Sequence, residues 1–441
     1  MSSANRQVPG TGNGRMNFKI FPSNASASNV FTSSSSPVLS FQIPNADVLL
    51  DLQSLRICGN LKYKGITDPA GATVRMDQYC GVSSLFSTVT WSSLVSRSVI
   101  EQVQYYGQMV NAIVPQLQTT ADFQNSECSG NLSTQELLYQ RNQFNLAAVT
   151  AGVGVNFATK IYTGLTLGSD TRLPLSKIGG LNLSINLSSN EAYFLNSAAA
   201  DSPTWELSNM SLEGDYYVPQ AAERETLMGM KEGSLTLNTM TSLFNVLQSS
   251  DHVSNFQLGL RDVVSAFYVS KPASWVNNYN ANEYQHIRIQ NTAGATQQQV
   301  KVNWLMNGSQ APLNFPLDVV TDSNEGQCQQ LMMMGLKRIQ DMNELSISND
   351  TNDPRVSIGS TGFASTSGPG SNQALALNKC NYVNAIAYDV LGDGSGANFQ
   401  QSPLTFTIKS DLSDGEVQGL YIFILNATVI EYNEMGINVI N

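Results

Sequence analysis

Residues 180–194 read GLNLSINLSSNEAYF, and within them Leu181, Leu183, Ile185 and Leu187 alternate with Asn182, Ser184 and Asn186. In an extended chain successive side chains point to opposite faces, so a strict period of two puts one face in a core and the other in water. Seven residues of this kind define a half-buried strand.

The same period recurs on both sides. Upstream it is carried by Leu39, Phe41 and Ile43, by Leu55, Ile57, Gly59, Leu61 and Tyr63, and by Val99, Glu101, Val103 and Tyr105, where a carboxylate stands in an otherwise apolar row. Downstream, Met210, Leu212, Gly214, Tyr216 and Val218 form a further strand that Pro219 ends. Later, Ile287 and Ile289 lead into the turn-rich 291–294, and Val300, Val302, Trp304 and Met306 return, the pattern of a hairpin. Leu404, Phe406 and Ile408 alternate, residues 420–425 form a continuous apolar strand, and residues 428–432 continue as strand. The Gly- and Ser-rich segments 350–373 and 392–402 read as loops.

Helical signals are few. Residues 133–136 (STQE) have the form of a capping box opening a helix through Leu137, Leu138, Phe144 and Ala147. Ser323 or Asn324 starts a second, with Cys328, Leu331, Met332, Gly335, Ile339 and Met342 near helical spacing. A third option runs from Gln108 to Gln124, with Pro115 tolerated only near a helix start.

The two halves end alike. GLNLSINLSSNEAYF followed by WELSNMSLEGDYYVP (205–219) has the order of PLTFTIKSDLSDGEVQGLYIF (403–423) followed by ILNATVIEYNEM (424–435): an alternating strand, a loop, an aromatic-containing strand and a last strand closing in tyrosine. A main helix precedes each ending. The correspondence is one of order and pattern, and it predicts a structural duplication. It divides the chain into a flexible N-terminal arm (1–15), a first sandwich (16–222) and a second (223–441), the join falling within 220–235. A length of 441 residues fits two domains of about 200 residues each.

Composition narrows the function. Hydrophobic residues make up 41% and charged residues only 13%, about half the usual share, the difference being filled by Ser, Asn, Gln and Thr. Burying an amide costs far less than burying a charge, so such a surface suits packing against copies of itself. The net charge of −11 and the scattered basic residues argue against direct binding of nucleic acid, which needs clustered Lys and Arg. Cys58, Cys80, Cys128, Cys328 and Cys380 are irregularly spaced and form no CxxC pair, so they read as reduced and mostly buried thiols of a protein folded in a reducing compartment. The first residues lack the layout of a signal peptide, and nowhere do 18 apolar residues run together.

No constellation for chemistry stands out. His286 sits in an expected strand and His252 in an expected turn, neither with a nucleophile motif to serve. The glycine groups Gly10, Gly12, Gly14 and Gly392, Gly394, Gly396 lack the strand–turn–helix context of a phosphate cradle and read as linker and turn. Glu206, Glu213 and Asp215 lie along expected strands, where solvated faces explain them as well as a glycosidase pair does. The stretch 349–353 is rich in Asp but lacks the Gly and terminal Glu of an EF-hand loop. Met332, Met333 and Met334 read as core packing. The expectation is a protein that is not an enzyme, with no catalytic, cofactor-binding or metal site and no cofactor.

Two tandem sandwiches with helices inserted before their closing strands describe a double jelly-roll, and the sequence resembles the major capsid proteins of virophages and polinton-like viruses. The likeness is carried by 97–107 (RSVIEQVQYYG) leading to 109–113 (MVNAI), by 173–175 (LPL) through 217–219 (YVP), by 256–267 (FQLGLRDVVSAF), and by 403–406 (PLTF) through 420–423 (LYIF). The resemblance implies an all-β fold of two tandem eight-stranded jelly-roll β-sandwiches with a few short inserted helices. It implies a homotrimer forming a pseudo-hexagonal capsomer of an icosahedral double-stranded DNA virus shell, with a vertex (penton) protein and minor capsid proteins as partners. It carries no catalytic residues. The chain would then reside in the virion, after folding in the host cytoplasm or another reducing compartment. The alternatives are a β-sandwich surface lectin, adhesin or other attachment protein, in which Trp205, Trp275 or Trp304 would stack on sugars, and a glycan hydrolase on a β-sandwich. Core placement is the expectation for Trp205 and Trp304.

Overall fold

The structure is a computed structural model, and it describes residues 14–24, 29–35, 37–64, 81–117, 155–167, 172–188, 204–220, 225, 229–247, 251–272, 300–306, 309–310, 317–318, 384–388, 396–410, 418–433 and 436–440. The elements of the first half are β1 (Arg15–Ile20), β2 (Val30–Phe31), β3 (Val38–Ile43), β4 (Leu49–Lys64), β5 (Phe86–Ser93), β6 (Val99–Gln104), α1 (Tyr106–Leu117), β7 (Val155–Lys160), α2 (Gly164–Leu167), β8 (Leu173–Pro174), α3 (Leu175–Ile178), β9 (Leu181–Leu187) and β10 (Thr204–Tyr217). Those of the second half are β11 (Gly233–Leu247), β12 (Asp251–Phe256), β13 (Val263–Pro272), β14 (Val300–Met306), β15 (Ser309–Gln310), β16 (Leu317–Asp318), β17 (Asn384–Ala387), β18 (Leu404–Ser410), β19 (Gln418–Asn433) and β20 (Gly436–Ile440).

The strand order is duplicated. One sheet of the first half runs β1-β10-β4-β7, and its counterpart in the second runs β11-β19-β13-β17. The facing sheets run β3-β9-β5-β6 and β12-β18-β14-β15. Taken in chain order, eight strands of each half fill the same eight places, so each half is a jelly-roll sandwich of two four-stranded sheets. The correspondence extends to a residue: Trp91 pairs with the third residue of β9, Leu183, and Trp304 with the third residue of β18, Phe406. Both tryptophans are buried.

Alternation gave these strands their faces. Leu39, Phe41 and Ile43 of β3 and Leu181, Leu183, Ile185 and Leu187 of β9 are all buried and pack in one core. The continuous apolar run 420–425 is buried on both sides. Leu420, Ile422 and Ile424 enter the core of the second sandwich, while Tyr421, Phe423 and Leu425 enter the cluster continuous with the first. The run and the segment 428–432 are one 16-residue strand, β19, as the segments around Met210 and Tyr217 are one 14-residue strand, β10.

Several expectations are corrected by local geometry. A bulge between β5 and β6 pairs Trp91 with Glu101 and Ser92 with Val99, leaving Ile100 as the extra residue. Ile100 and Glu101 are therefore both buried and Val99 is 52% exposed, which the simple period did not foretell. On β10, Leu212, Gly214 and Tyr216 keep the core-facing row that the period predicts, with Tyr216 stacked on Phe18, while Asp215 and Tyr217 are buried on the opposite face against Arg15 and Arg172. The register shift between Glu213 and Asp215 places its extra residues on β4, between Asp51 and Arg56. His252 lies in β12, paired with Ile408, and not in a turn. The helix expected from Gln108 is α1, which starts two residues earlier; Pro115 sits two residues from its end and not near its start. The expected helices at 133–147 and 323–342, the strand around Ile287 and His286, the loop 350–373, the stretch 349–353, Met332–Met334, Trp275, Gly392, Gly394 and the cysteines other than Cys58 lie outside the described residues.

If Trp91 and Trp304 anchor equivalent cores, Trp91→Ala and Trp304→Ala should each lower the unfolding free energy by about 3–5 kcal/mol. Urea unfolding followed by far-ultraviolet circular dichroism measures this. A change under about 1 kcal/mol for either would contradict the packing.

Candidate functional site

The feature that sets this chain apart from two independent sandwiches is the seam between them. Strand β6, the edge of the first sandwich, meets β11, the first strand of the second, in parallel at Gln102 and Thr241. The backbone N–H of Gln104 donates to Ser242 Oγ at 2.8 Å. Through this join the sheets of both halves continue as a single nine-stranded sheet that includes β20.

At the centre of the seam is Glu101. The bulge aims its side chain inward, where it is 3% exposed. Its Oε1 accepts from the backbone N–H groups of Gly164 and Met240, each at 2.7 Å, and its Oε2 from that of Leu165 at 3.2 Å. The Thr163 hydroxyl adds a further hydrogen bond. One carboxylate thereby ties β6, the start of α2 and β11 together across the two halves. Gly164 is required here: a Cβ on it would lie 2.5 Å from the Thr239 carbonyl carbon and 2.6 Å from the Met240 nitrogen. Thr239 Oγ1 in turn lies 2.6 Å from Thr428 Oγ1, so the polar cluster reaches into β19.

Aromatic rings flank this cluster. Tyr105 holds a positive φ of 55°, a conformation that costs a bulky residue on the order of 1–2 kcal/mol. It places the ring 5.3 Å from Phe244 and 4.9 Å from Tyr421, both in the second half. At one end of the seam, Lys177 of α3 donates to the Met230 carbonyl and lies over the Tyr432 ring. Leu237, Met240, Val264, Phe267, Val269, Phe423 and Leu425 extend the first half's apolar cluster through the seam.

The residues considered for chemistry are dispersed. Glu213 pairs with Lys19 at 2.8 Å and Asp215 with Arg15, so two of the three strand carboxylates belong to ion pairs between neighbouring strands. Trp205 and Trp304 are 1% and 3% exposed, as core residues. Gly396 lies tight against the Asp262–Val263 backbone, which accounts for a glycine in that segment. Cys58 is a free, half-buried thiol, pushed up to about 11 by burial and the neighbouring Glu213. Among the described residues no three His, Cys, Asp or Glu side chains gather as metal ligands, and no helix is long and apolar enough to cross a membrane. Sequence reading marked Glu101 as a carboxylate in an apolar strand row and gave it no role; the structure places it at the centre of the seam.

No family model matches the chain, and no curated protein matches it. Solved structures do, and they show its fold, which is that of double jelly-roll major capsid proteins. A chain of the PBCV-1 virus capsid superposes with a TM-score of 0.58 at 11% identity, over 98% of this chain and 97% of that one. The Faustovirus major capsid protein gives 0.58 at 9% identity over 98% and 92%, and a chain of the Sputnik virophage 0.54 at 12% over 97% and 88%. The likeness is one of fold, and it spans both halves and their join.

Burial pushes the Glu101 carboxyl up to about 7 from its usual 4.5, against the pull of its four hydrogen-bond donors. A raised carboxyl pKa means that the folded chain holds the proton more tightly than the unfolded one. Its contribution to stability is therefore fully present below about pH 4.5 and is lost as pH rises through about 7, a change on the order of 3 kcal/mol. Glu101→Gln removes this titration and turns an amide N–H₂ toward a donor. Its thermal melting deficit relative to wild type should be largest at pH 5 and narrow by pH 8; a constant deficit would contradict the burial of Glu101. Gly164→Ala should destabilise by about 1–3 kcal/mol through overpacking, read from urea midpoints.

Proposed function

We propose that this chain is the major capsid protein of a double-stranded DNA virus, forming homotrimeric, pseudo-hexagonal capsomers that tile an icosahedral shell. The observation that carries the reading is the repetition of one eight-strand order in two sandwiches fixed to each other within one chain. A trimer of such chains presents six similar units around one axis, so a single product can fill a hexagonal lattice with closed, symmetric contacts. The fold likeness to capsid proteins over nearly whole chains supports the same reading. The low share of charged residues suits a molecule with large areas to bury against its copies.

The sandwiches are taken as 16–222 and 223–441; of the segment 1–15, Arg15 already belongs to β1, and 1–13 are taken as an arm that orders on assembly against neighbouring capsomers or an inner layer. Partners are a second and third copy, then neighbouring capsomers, a vertex protein and minor capsid proteins; its place is the virion. The chain works as a structural protein and not as an enzyme. The lectin alternative loses its sugar platforms at Trp205 and Trp304, since both rings are in the core.

Light scattering after size exclusion of the recombinant chain should give three times 47.8 kDa, unchanged by reductant. A monomer at every concentration would overturn the proposal. Removal of residues 1–13 should leave trimers intact and impair shell formation, scored by electron microscopy of assembly reactions. Normal shells from the truncated chain would remove the arm from the account.

A further inference from the structure

The duplication makes the seam inside the chain a template for a contact between chains. Within the chain, the outer face of the sheet β11-β19-β13-β17, the one turned away from its own sandwich, is apolar and covered. Phe267, Val269, Tyr421, Phe423 and Leu425 all lie in the cluster continuous with the first half. The equivalent outer face in the first half, on β1-β10-β4-β7, has the opposite chemistry: it is charged, and among the described residues it is covered only at the end where Arg15 and Arg172 lie against Asp215 and Tyr217. Lys19, Glu213 and Arg56 follow one another across β1, β10 and β4, and Lys160 on β7 completes that row. Glu206 pairs with Lys62 in a second row. Lys19 and Glu213 remain 55% and 39% exposed, although they are bonded to each other.

We propose that this charged face, with the outer edge of β1 beside it, is where the second sandwich of another copy of this chain seats. It would repeat between chains the placement that β6 and β11 make within one. The inference rests on the trimeric capsomer reading and deepens it by naming the surfaces that meet. Repeating the internal step joins the β15 side of one chain to the β1 side of the next, and six sandwiches from three chains close the ring.

Two observations support a second copy as the occupant. The first is charge. Residues 223–441 hold 11 Lys and Arg against 20 Asp and Glu, whereas the face carries Arg15, Lys19, Arg56, Lys62 and Lys160 against Asp51, Glu206, Glu213 and Asp215. A slightly cationic face thus lies in a chain of net charge −11, and the second half of a neighbour is its acidic complement. The second is the contrast in polarity between equivalent faces. The face that is covered as the chain folds can be apolar. A face that waits for a partner must stay in water until the partner arrives, and an apolar one would aggregate. The contact between chains is then more salt-sensitive than the seam within one, because exposed ion pairs are screened over about 8–10 Å near physiological salt.

The test uses the full chain. Arg56→Glu with Lys62→Glu reverses two charges on the face, and Arg97→Glu with Lys231→Glu makes the same net change away from it. Each is assayed by light scattering over a dilution series at low and high salt, with thermal melting as the check on folding. The face variant should fall apart into monomers at a concentration at least tenfold higher than wild type, and the control should behave as wild type. Hydrogen exchange on the wild-type protein gives a reading that needs no variant. The outer edge of β1 pairs with no strand among the described residues, so its outward backbone amides should exchange more slowly in trimers than in monomers obtained by dilution, with β4, bonded on both sides within the chain, as the protected reference.

A face variant as tightly trimeric as wild type, together with equal exchange in both states, overturns this inference and leaves the trimer standing. Outward amides of β1 that are already protected in the monomer mean that the chain's own residues cover that edge, which also overturns it. A wild-type protein that is monomeric throughout overturns both this inference and the capsomer.

Discussion

A carboxylate taken out of water must be given hydrogen bonds at once, and Glu101 finds them only where residues 163–165 and β11 come together. That requirement fixes the relation between the two sandwiches. The bulge in β6 aims the side chain, Gly164 permits the close approach of α2 to β11, and the Met240 N–H closes the set from the other half. Losing any one of these donors would leave a buried charge short of partners, which is more damaging than losing an ordinary contact. The aromatic group of Tyr105, Phe244 and Tyr421 then packs over the join, and the strained backbone at Tyr105 is held by those ring contacts. The connection between the two sandwiches is polar and specific at its centre and apolar around it.

The duplication explains how one fold serves two situations. Equivalent strands take equivalent places in both halves, and even the tryptophans of β5 and β14 coincide. The equivalent outer faces nevertheless differ in chemistry because they meet their neighbours at different times. One is buried as the chain folds and is built from Phe, Tyr, Val and Leu; the other stays in solvent and is built from paired Lys, Arg and Glu. Covalent linkage within the chain makes the internal seam independent of concentration, whereas a contact between chains obeys mass action.

Much of this fold was legible in the sequence because a half-buried strand writes its burial as a period of two. The rows in β3 and β9 show it most plainly, and the order of the closing strands revealed the repeat. The period failed where the backbone inserts a residue, since the bulge at Ile100 moves the next side chain to the other face without any marker in composition. It also failed on β19, where both faces are buried and a continuous apolar run cannot say which residues serve which core. The seam was the least legible part. Glu101 stood out as a carboxylate in an apolar row, but its donors come from residues 163–165 and 240, and such distant partners leave no local spacing to read.

The most direct test of the account is an image of the purified protein, by negative stain and class averaging along the particle's axis. The account predicts six lobes around a centre with threefold symmetry, alternating between the two kinds of sandwich. Two-lobed particles, or rings with any other number of lobes, would contradict it.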